Sequence, residues 1–313
     1  MTKFEHIDAN VISLAQRIAA ADRKPLFPVL EKTGFRATTA PLMAIGEAWR
    51  DGATPIDTGL GQAVYRTDTG APLGIVGQRY AIAQNGDLQA AAAEACEAAL
   101  PTHALQDIEL KEFTSRGGAY TRFEYTFPGL GADIRQLSGA STQLKFRIGV
   151  INSFNGSGSV RAMAGAYDLV CLNGAVIGEF ESSAFRHSAG FHPAKLKSFI
   201  EIEAQRYLER VRIWQGWALK EIRPAGAREA LELAGMSGRR VEKMMEQLEI
   251  EAQARGMTVW ALYSALTYYS SHNSERFTVR NSAAADNVAE TLDKREREVA
   301  SVISSEAFLR IAA

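Results

Sequence analysis

The chain has 313 residues, enough for one large domain or two modest ones around a sizeable core. An apolar share of 46% with 23% charged residues excludes a disordered polyelectrolyte, and no run of about 18 apolar residues marks a transmembrane helix. The net charge of −1 conceals an asymmetry: residues 1–110 carry −4, residues 111–223 carry +5 and residues 224–313 carry −2, so a basic middle sits in an acidic whole.

In chain order the pattern reads α, then β, then α. Phe4, Ile7, Val11, Leu14 and Ile18 fall at helical spacing and predict an amphipathic helix over residues 3–20. Glu5 and Asp8 stand where a signal peptide would be basic and then apolar. With only two cysteines, Cys96 and Cys171, far apart in the chain, this points to a cytoplasmic protein with free thiols. Prolines and glycines from Pro25 to Gly61 predict loops and one short helix near Met43–Arg50. Gln62–Thr67 and Leu73–Val76 read as strands joined by a turn at Asp68, Thr69 and Gly70. Ala-rich Asp87–Leu100 reads as a helix with Leu88, Ala92, Cys96 and Leu100 on one face, Asp87 as its cap and Pro101 beyond its end.

Ala119–Phe127 and Gln143–Ser153 alternate with period two, as half-buried antiparallel strands do. That parity sends Leu144, Phe146, Ile148 and Val150 to the core and Lys145 and Arg147 to solvent. Asn155-Gly156 then signals a hairpin of type I′, which needs positive φ at both central residues, before a strand at Ser159–Met163. Asp168–Ile177 fits either a strand or a buried helix. After His192-Pro193 the spacing predicts helices over Leu196–Ile222, Ala227–Ala234, Ser237–Arg255, Thr258–Ser271 and Ala284–Val302. Trp214 and Trp217 broaden the apolar face of the first of these beyond what a lone surface helix requires. Packing on a second copy, as a homo-oligomer, or on the helices after Pro224 is therefore expected. The fold class is α+β: an antiparallel β core with hairpins over 1–190, then a helical region over 191–313, the two separated by a soft boundary or joined in one domain.

The motifs of familiar chemistry are missing. The glycine-rich segment Asn152–Ser159 follows a strand but lacks the Lys-Ser or Lys-Thr pair of a phosphate loop. His187, His192 and Cys171 fall short of a zinc set, and neither CxxC nor HExxH occurs. No GxSxG marks a nucleophile. No catalytic residue, metal or cofactor is assigned, and the chain reads as a binding protein rather than an enzyme.

The basic residues carry the functional expectation. Arg116, Arg122, Lys145, Arg147 and Arg161 lie on or beside predicted strands, interleaved with Tyr120, Phe123, Tyr125, Phe146 and Phe154. Arg186, His187, Lys195 and Lys197 continue the charge into the long helix. Guanidinium groups on a twisted sheet can track a phosphate backbone while aromatic faces stack bases, which points to single-stranded DNA as partner. A solvated outer face is the competing explanation, and Glu201, Glu203 and Glu209 offer salt-bridge partners on the helix.

The runs LGIVGQRYAIAQNGDL at Leu73–Leu88 and GVINSFNGSGSVRAMAGAYDLVCLNG at Gly149–Gly174, with FRHS at Phe185–Ser188, resemble the phage/plasmid-like protein family (domain of unknown function 932). The matched positions are Tyr80, Asn85, Asn152, Ser153, Gly156, Ser157, Val170, Cys171, Asn173, Arg186 and His187, and Thr258–His272 looks like the family's late helix. The chain departs from the family at Phe154-Asn155, where many members place His-Asp, and at Asp168, where Arg is common. The strand order is similar to the core of single-strand annealing proteins, an analogy of topology alone. The resemblance implies a mobile-element setting and no established activity; the basic strands and the topology analogy add the expectation of a single-stranded DNA-binding protein, annealing or recombining DNA for a phage or plasmid. The alternative is a non-enzymatic interaction or anti-defence factor of a mobile element.

Overall fold

The computed structural model describes residues 26–44, 55–168, 174–176, 193–272 and 286–313. Its elements run β1 (Ala37–Ala44), β2 (Ile56–Arg66), β3 (Pro72–Val76), α1 (Asn85–Ala99), β4 (Glu109–Ser115), β5 (Tyr120–Arg135), β6 (Ser141–Ser153), β7 (Arg161–Asp168) and β8 (Gly174–Val176). The helices α2 (Pro193–Leu219), α3 (Pro224–Leu233), α4 (Gly238–Arg255), α5 (Val259–His272), α6 (Val288–Ile303) and α7 (Glu306–Ala312) follow. Both sheets are antiparallel, one ordered β1-β2-β3 and the other β4-β5-β6-β7-β8. The class is α+β, with helices α2–α7 after the last described strand.

One face of the large sheet is apolar. Phe123, Tyr125 and Phe127 of β5 stand opposite Val150, Ile148 and Phe146 of β6, and Ala162, Ala164 and Ala166 continue the rows on β7. Leu88, Ala92 and Cys96 of α1 and Leu196, Ile200 and Tyr207 of α2 cover them. Cys96 is buried with a free thiol. Phe146 meets Tyr207 at 4.8 Å between ring centroids, and the aromatic contacts continue through Trp214, Tyr263 and Trp217 to Phe308 of α7. The broad face of α2 is thus spent inside the chain, on α5 and α7, and gives no argument for a second copy. No helix among the described residues is long and apolar enough to cross a membrane.

The opposite face is also covered, by α6. Ala289 packs with Tyr120, Ile151, Met163 and Phe113. The expectation that Arg147 and its parity partners face water is therefore corrected: Arg147 is 5% exposed and Ile151 is fully buried. Alternation in a strand distinguishes an apolar side from a polar side. It does not report that a helix distant in sequence roofs the polar one.

Local readings change in several places: β4 was not expected, β2 starts at Ile56 within the expected loops, and β5 runs on to Arg135. Met43 and Ala44 end strand β1, and Pro41 stands at its register shift, where a missing N–H is tolerated; the rest of that expected helix and the one over 3–20 lie outside the described residues. Helix α1 is capped at Gln84, with Asp87 in its first turn. The loop after β6 is no type I′ turn: Gly156 has φ +73°, whereas Asn155 is not in the positive-φ region. Instead Asn155 Oδ1 accepts from Ser153 Oγ at 2.8 Å and from the Ser157 N–H at 3.0 Å, so a side chain closes the loop. Gly174–Val176, within the ambiguous segment, pairs with β7 as a strand.

Candidate functional site

Helix α6 carries two acids on its buried stripe. Ala289, Leu292, Asp293, Glu296, Val299, Ala300 and Ile303 recur at three- and four-residue steps and are all buried. The turn after β4 fixes where the helix starts. The Arg116 N–H donates to the Asp286 carbonyl at 2.7 Å, the Gly117 N–H donates to the Asp286 carboxylate, and the Glu290 N–H donates to Ser115 Oγ. Asp293 and Glu296 are thereby set over strands that present Arg122, Arg147 and Arg161.

Arg122 forks onto Glu296, its two terminal nitrogens donating at 2.7 and 2.8 Å, while its Nε donates to Glu124. Arg147 donates to Glu296 at 2.7 Å and to Glu124 at 3.1 Å. Gly149 stands directly across from Glu124, and a Cβ there would lie 2.7 Å from Met163 Cγ. The missing side chain leaves room for Met163 next to Glu124. Two guanidinium groups and two carboxylates form a neutral quartet, the arrangement that makes buried charge tolerable. Burial acts to raise the Glu296 pKa, but Arg122 and Arg147 overcome it and hold the carboxyl at about 2. Burial likewise opposes the charge on Arg122 and Arg147, and the facing carboxylates outweigh it, so both are held above the usual guanidinium value.

Beside the quartet, toward the β6–β7 loop, a cleft of about 540 Å³ opens. Its wall comprises Tyr120, Ser157, Gly158, Ser159, Arg161, Glu290, Asp293, Lys294 and Arg297. Tyr120 Oη donates to Asp293 Oδ2 at 2.8 Å and accepts from Arg161 Nη2 at 2.8 Å. Arg161 also donates to Asp293, and Arg297 reaches the same carboxylate at 3.2 Å. The Tyr120 hydroxyl is pushed above its usual pKa, first by burial and then by the Asp293 charge. The volume lies within the roughly 300–1,000 Å³ of small-ligand sites.

The sequence-predicted cations divide. Arg122, Arg147 and Arg161 come together under α6, buried and ion-paired. Lys145 keeps a fifth of its side chain exposed and donates to Glu109 at 2.8 Å. Arg116 is exposed and paired with Glu290 at the start of α6. Lys195 is exposed on α2. Lys197 of α2 donates to Glu94 of α1, on the other side of the sheet from α6. Arg186 and His187 lie outside the described residues, as do His192 and Cys171; among the described residues no group of three His, Cys, Asp or Glu could hold a metal ion.

Sequence reasoning missed Asp293, Glu296, Lys294 and Arg297. For the two acids the signal was present: Asp293 and Glu296 on an otherwise apolar helical stripe call for buried cations opposite, whereas exposed Lys294 and Arg297 carry none. Of the residues that carry the family resemblance, Tyr80, Asn85, Asn152, Ser153, Gly156 and Ser157 lie in or beside the joint that shapes the cleft's loop, and the others, in 169–173 and 177–192, lie outside the described residues. Tyr80 Oη donates to the Ser153 carbonyl at 2.5 Å. Asn152 Nδ2 donates to the Ala83 carbonyl and to Asn85 Oδ1, each at 2.8 Å, and Asn85 Nδ2 donates to the Thr33 carbonyl at 2.7 Å. Ser153 Oγ accepts from the Gly158 N–H at 3.2 Å. Ser157–Ser159 are therefore held against the cleft by a buried polar network.

Residues 72–297 match the family model described as domain of unknown function (DUF932), a span that includes every residue of the cleft. No curated protein and no solved structure matches the chain.

Proposed function

We propose that this chain, which belongs to the DUF932 family of unknown function, binds single-stranded nucleic acid, with the cleft between α6 and the β6–β7 loop as its phosphate seat. The observation that carries this reading is the cleft wall itself. Arg161, Lys294 and Arg297 stand there against Glu290 and Asp293, beside the hydroxyls of Tyr120, Ser157 and Ser159 and the backbone of Gly158. Such cations and short donors are what phosphodiester contacts use. Lys294 and Arg297, three residues apart, share the exposed side of α6, and Arg116 extends that side at its start. The buried arginines serve differently, as the floor that positions these groups. Strand annealing on behalf of a phage or plasmid belongs to the same proposal, since annealing needs a groove that leaves bases free and no catalytic residue. A second reading, docking of another protein, is favoured by Met43, Ile56, Leu60 and Ile75, all exposed on the small sheet.

A salt titration with a labelled oligonucleotide tests the proposal. Affinity should fall steeply with salt, and the double variant Lys294→Glu, Arg297→Glu should lower the slope by about 1.4, roughly 0.7 for each lost contact on a single strand. Both side chains are exposed, so its circular dichroism should match the parent. No binding at low salt would sink the nucleic-acid reading and leave the docking one.

A further inference from the structure

The β4–β5 turn holds an arginine where the backbone disfavours one. Arg116 has φ +54°, and Gly117 and Gly118 follow at +66° and +98°. Glycine or asparagine takes a left-handed position at least cost, so an arginine there points to a use for its side chain. That side chain is 56% exposed, and its Nε donates to Glu290 at 3.0 Å.

Stapling the turn to α6 does not require this ion pair. The Arg116 N–H already donates to the Asp286 carbonyl, the Gly117 N–H to the Asp286 carboxylate and the Glu290 N–H to Ser115 Oγ, and Ser115 bridges to Asn287. A pair this open to water contributes little to stability. Its place matters more than its strength. Glu290 belongs to the cleft wall, one helical turn before Lys294, and keeps 21% of its side chain exposed. The other acid of the wall, Asp293, is buried and held by Tyr120, Arg161 and Arg297. Glu290 is therefore the acid of the wall that an incoming anion meets, and its partner is a cation that the same anion could use.

Resting on the phosphate seat proposed above, we propose that Arg116 and Glu290 form an autoinhibitory ion pair. Glu290 sets its own charge against the strand and withholds Arg116 from it. The seat then grips backbone phosphates with Lys294 and Arg297, without the help of a cation that stands beside them. A loosened grip suits a protein whose strand must shift register as it pairs, since electrostatic backbone contacts permit sliding.

The test follows the fluorescence anisotropy of a labelled single strand titrated with the full chain at several salt concentrations. Glu290→Gln keeps the shape of the side chain and the backbone bond to Ser115, so its melting curve should match the parent's. It frees one cation. One added contact on a single strand steepens the salt slope by about 0.7, which amounts to roughly eightfold tighter binding at about 50 mM salt and roughly threefold at about 200 mM. Adding Arg116→Ala to that variant should return both affinity and slope to the parent's values. Parental or weaker binding by Glu290→Gln would overturn the inference and leave the phosphate seat to its own test with Lys294→Glu, Arg297→Glu. A gain that survives Arg116→Ala would mean that repulsion by Glu290 acts alone, overturning the withheld cation. Failure of parent and variant alike to bind at low salt would sink both readings.

Discussion

Glu296 is the residue on which the second face of the sheet turns. It takes hydrogen bonds from Arg122 and Arg147, and removing one partner from a buried charged cluster leaves the others without compensation. Glu296→Gln should destabilise the protein by about 3 kcal/mol, measured by urea denaturation at neutral pH. Its pKa is held at about 2 against an ordinary 4.5, so its stabilisation is complete above pH 4.5 and drains away as pH falls toward 2. The variant should therefore lose less stability than the parent across that interval. Charge reversal at Arg147, harmless if the residue faced water, sets a third carboxylate beside Glu124 and Glu296 and should unfold the chain, as Leu144→Asp should from the apolar face. Period-two alternation told these two sides apart correctly. What it could not tell is that the polar side is interior, because Asp293 and Glu296, which complete its neutralisation, arrive more than a hundred residues later.

At the scale of elements, strands and helices were legible where hydrophobic period was strong. β6, α1 and the helices from α2 to α6 lie close to their expected limits, whereas β5 runs eight residues past its expected end at Phe127 and β4 was not expected. The exceptions have local causes. β1 was hidden by Pro41, which a bulge accommodates, and α7 is too short to show a period. The loop after β6 was located by its Asn-Gly pair, but its shape depends on contacts from β3 that no local signal carries. Gly74 of β3 supports that loop directly: a Cβ there would lie 2.5 Å from Asn155 Cβ and 2.8 Å from its Cα. Backbone on the far side cannot yield as a flexible side chain would. Gly74→Ala should cost about 1–3 kcal/mol by overpacking. It should also weaken oligonucleotide binding, because Ser157–Ser159 shift with the loop; thermal melts and the anisotropy assay read the two effects separately.

At the scale of the molecule, a run of aromatic contacts ties the sheet to the last helix, from Phe146 through Tyr207, Trp214, Tyr263 and Trp217 to Phe308. The core is continuous from α1 through the sheet to α7. Unfolding should then be a single event. Tryptophan fluorescence, to which Trp214, Trp217 and Trp260 of the helices contribute, and far-ultraviolet circular dichroism, which reports on the whole chain, should give coincident denaturation curves. Two separated transitions would mean that the aromatic run does not couple the sheet to the helices.

The quartet also imposes an order on the birth of the protein. Arg122 and its partner Glu296 are separated by 174 positions. A ribosome adding roughly 5–20 residues per second needs about 9–35 seconds to travel between them. Throughout that interval the nascent sheet has an apolar side that can begin to pack and a cationic side answered only by Glu109, Glu124, water and whatever anions the surroundings supply. Under α6 the arginines of the finished sheet are paired and buried, while the same sheet on the ribosome is a basic surface awaiting its cover.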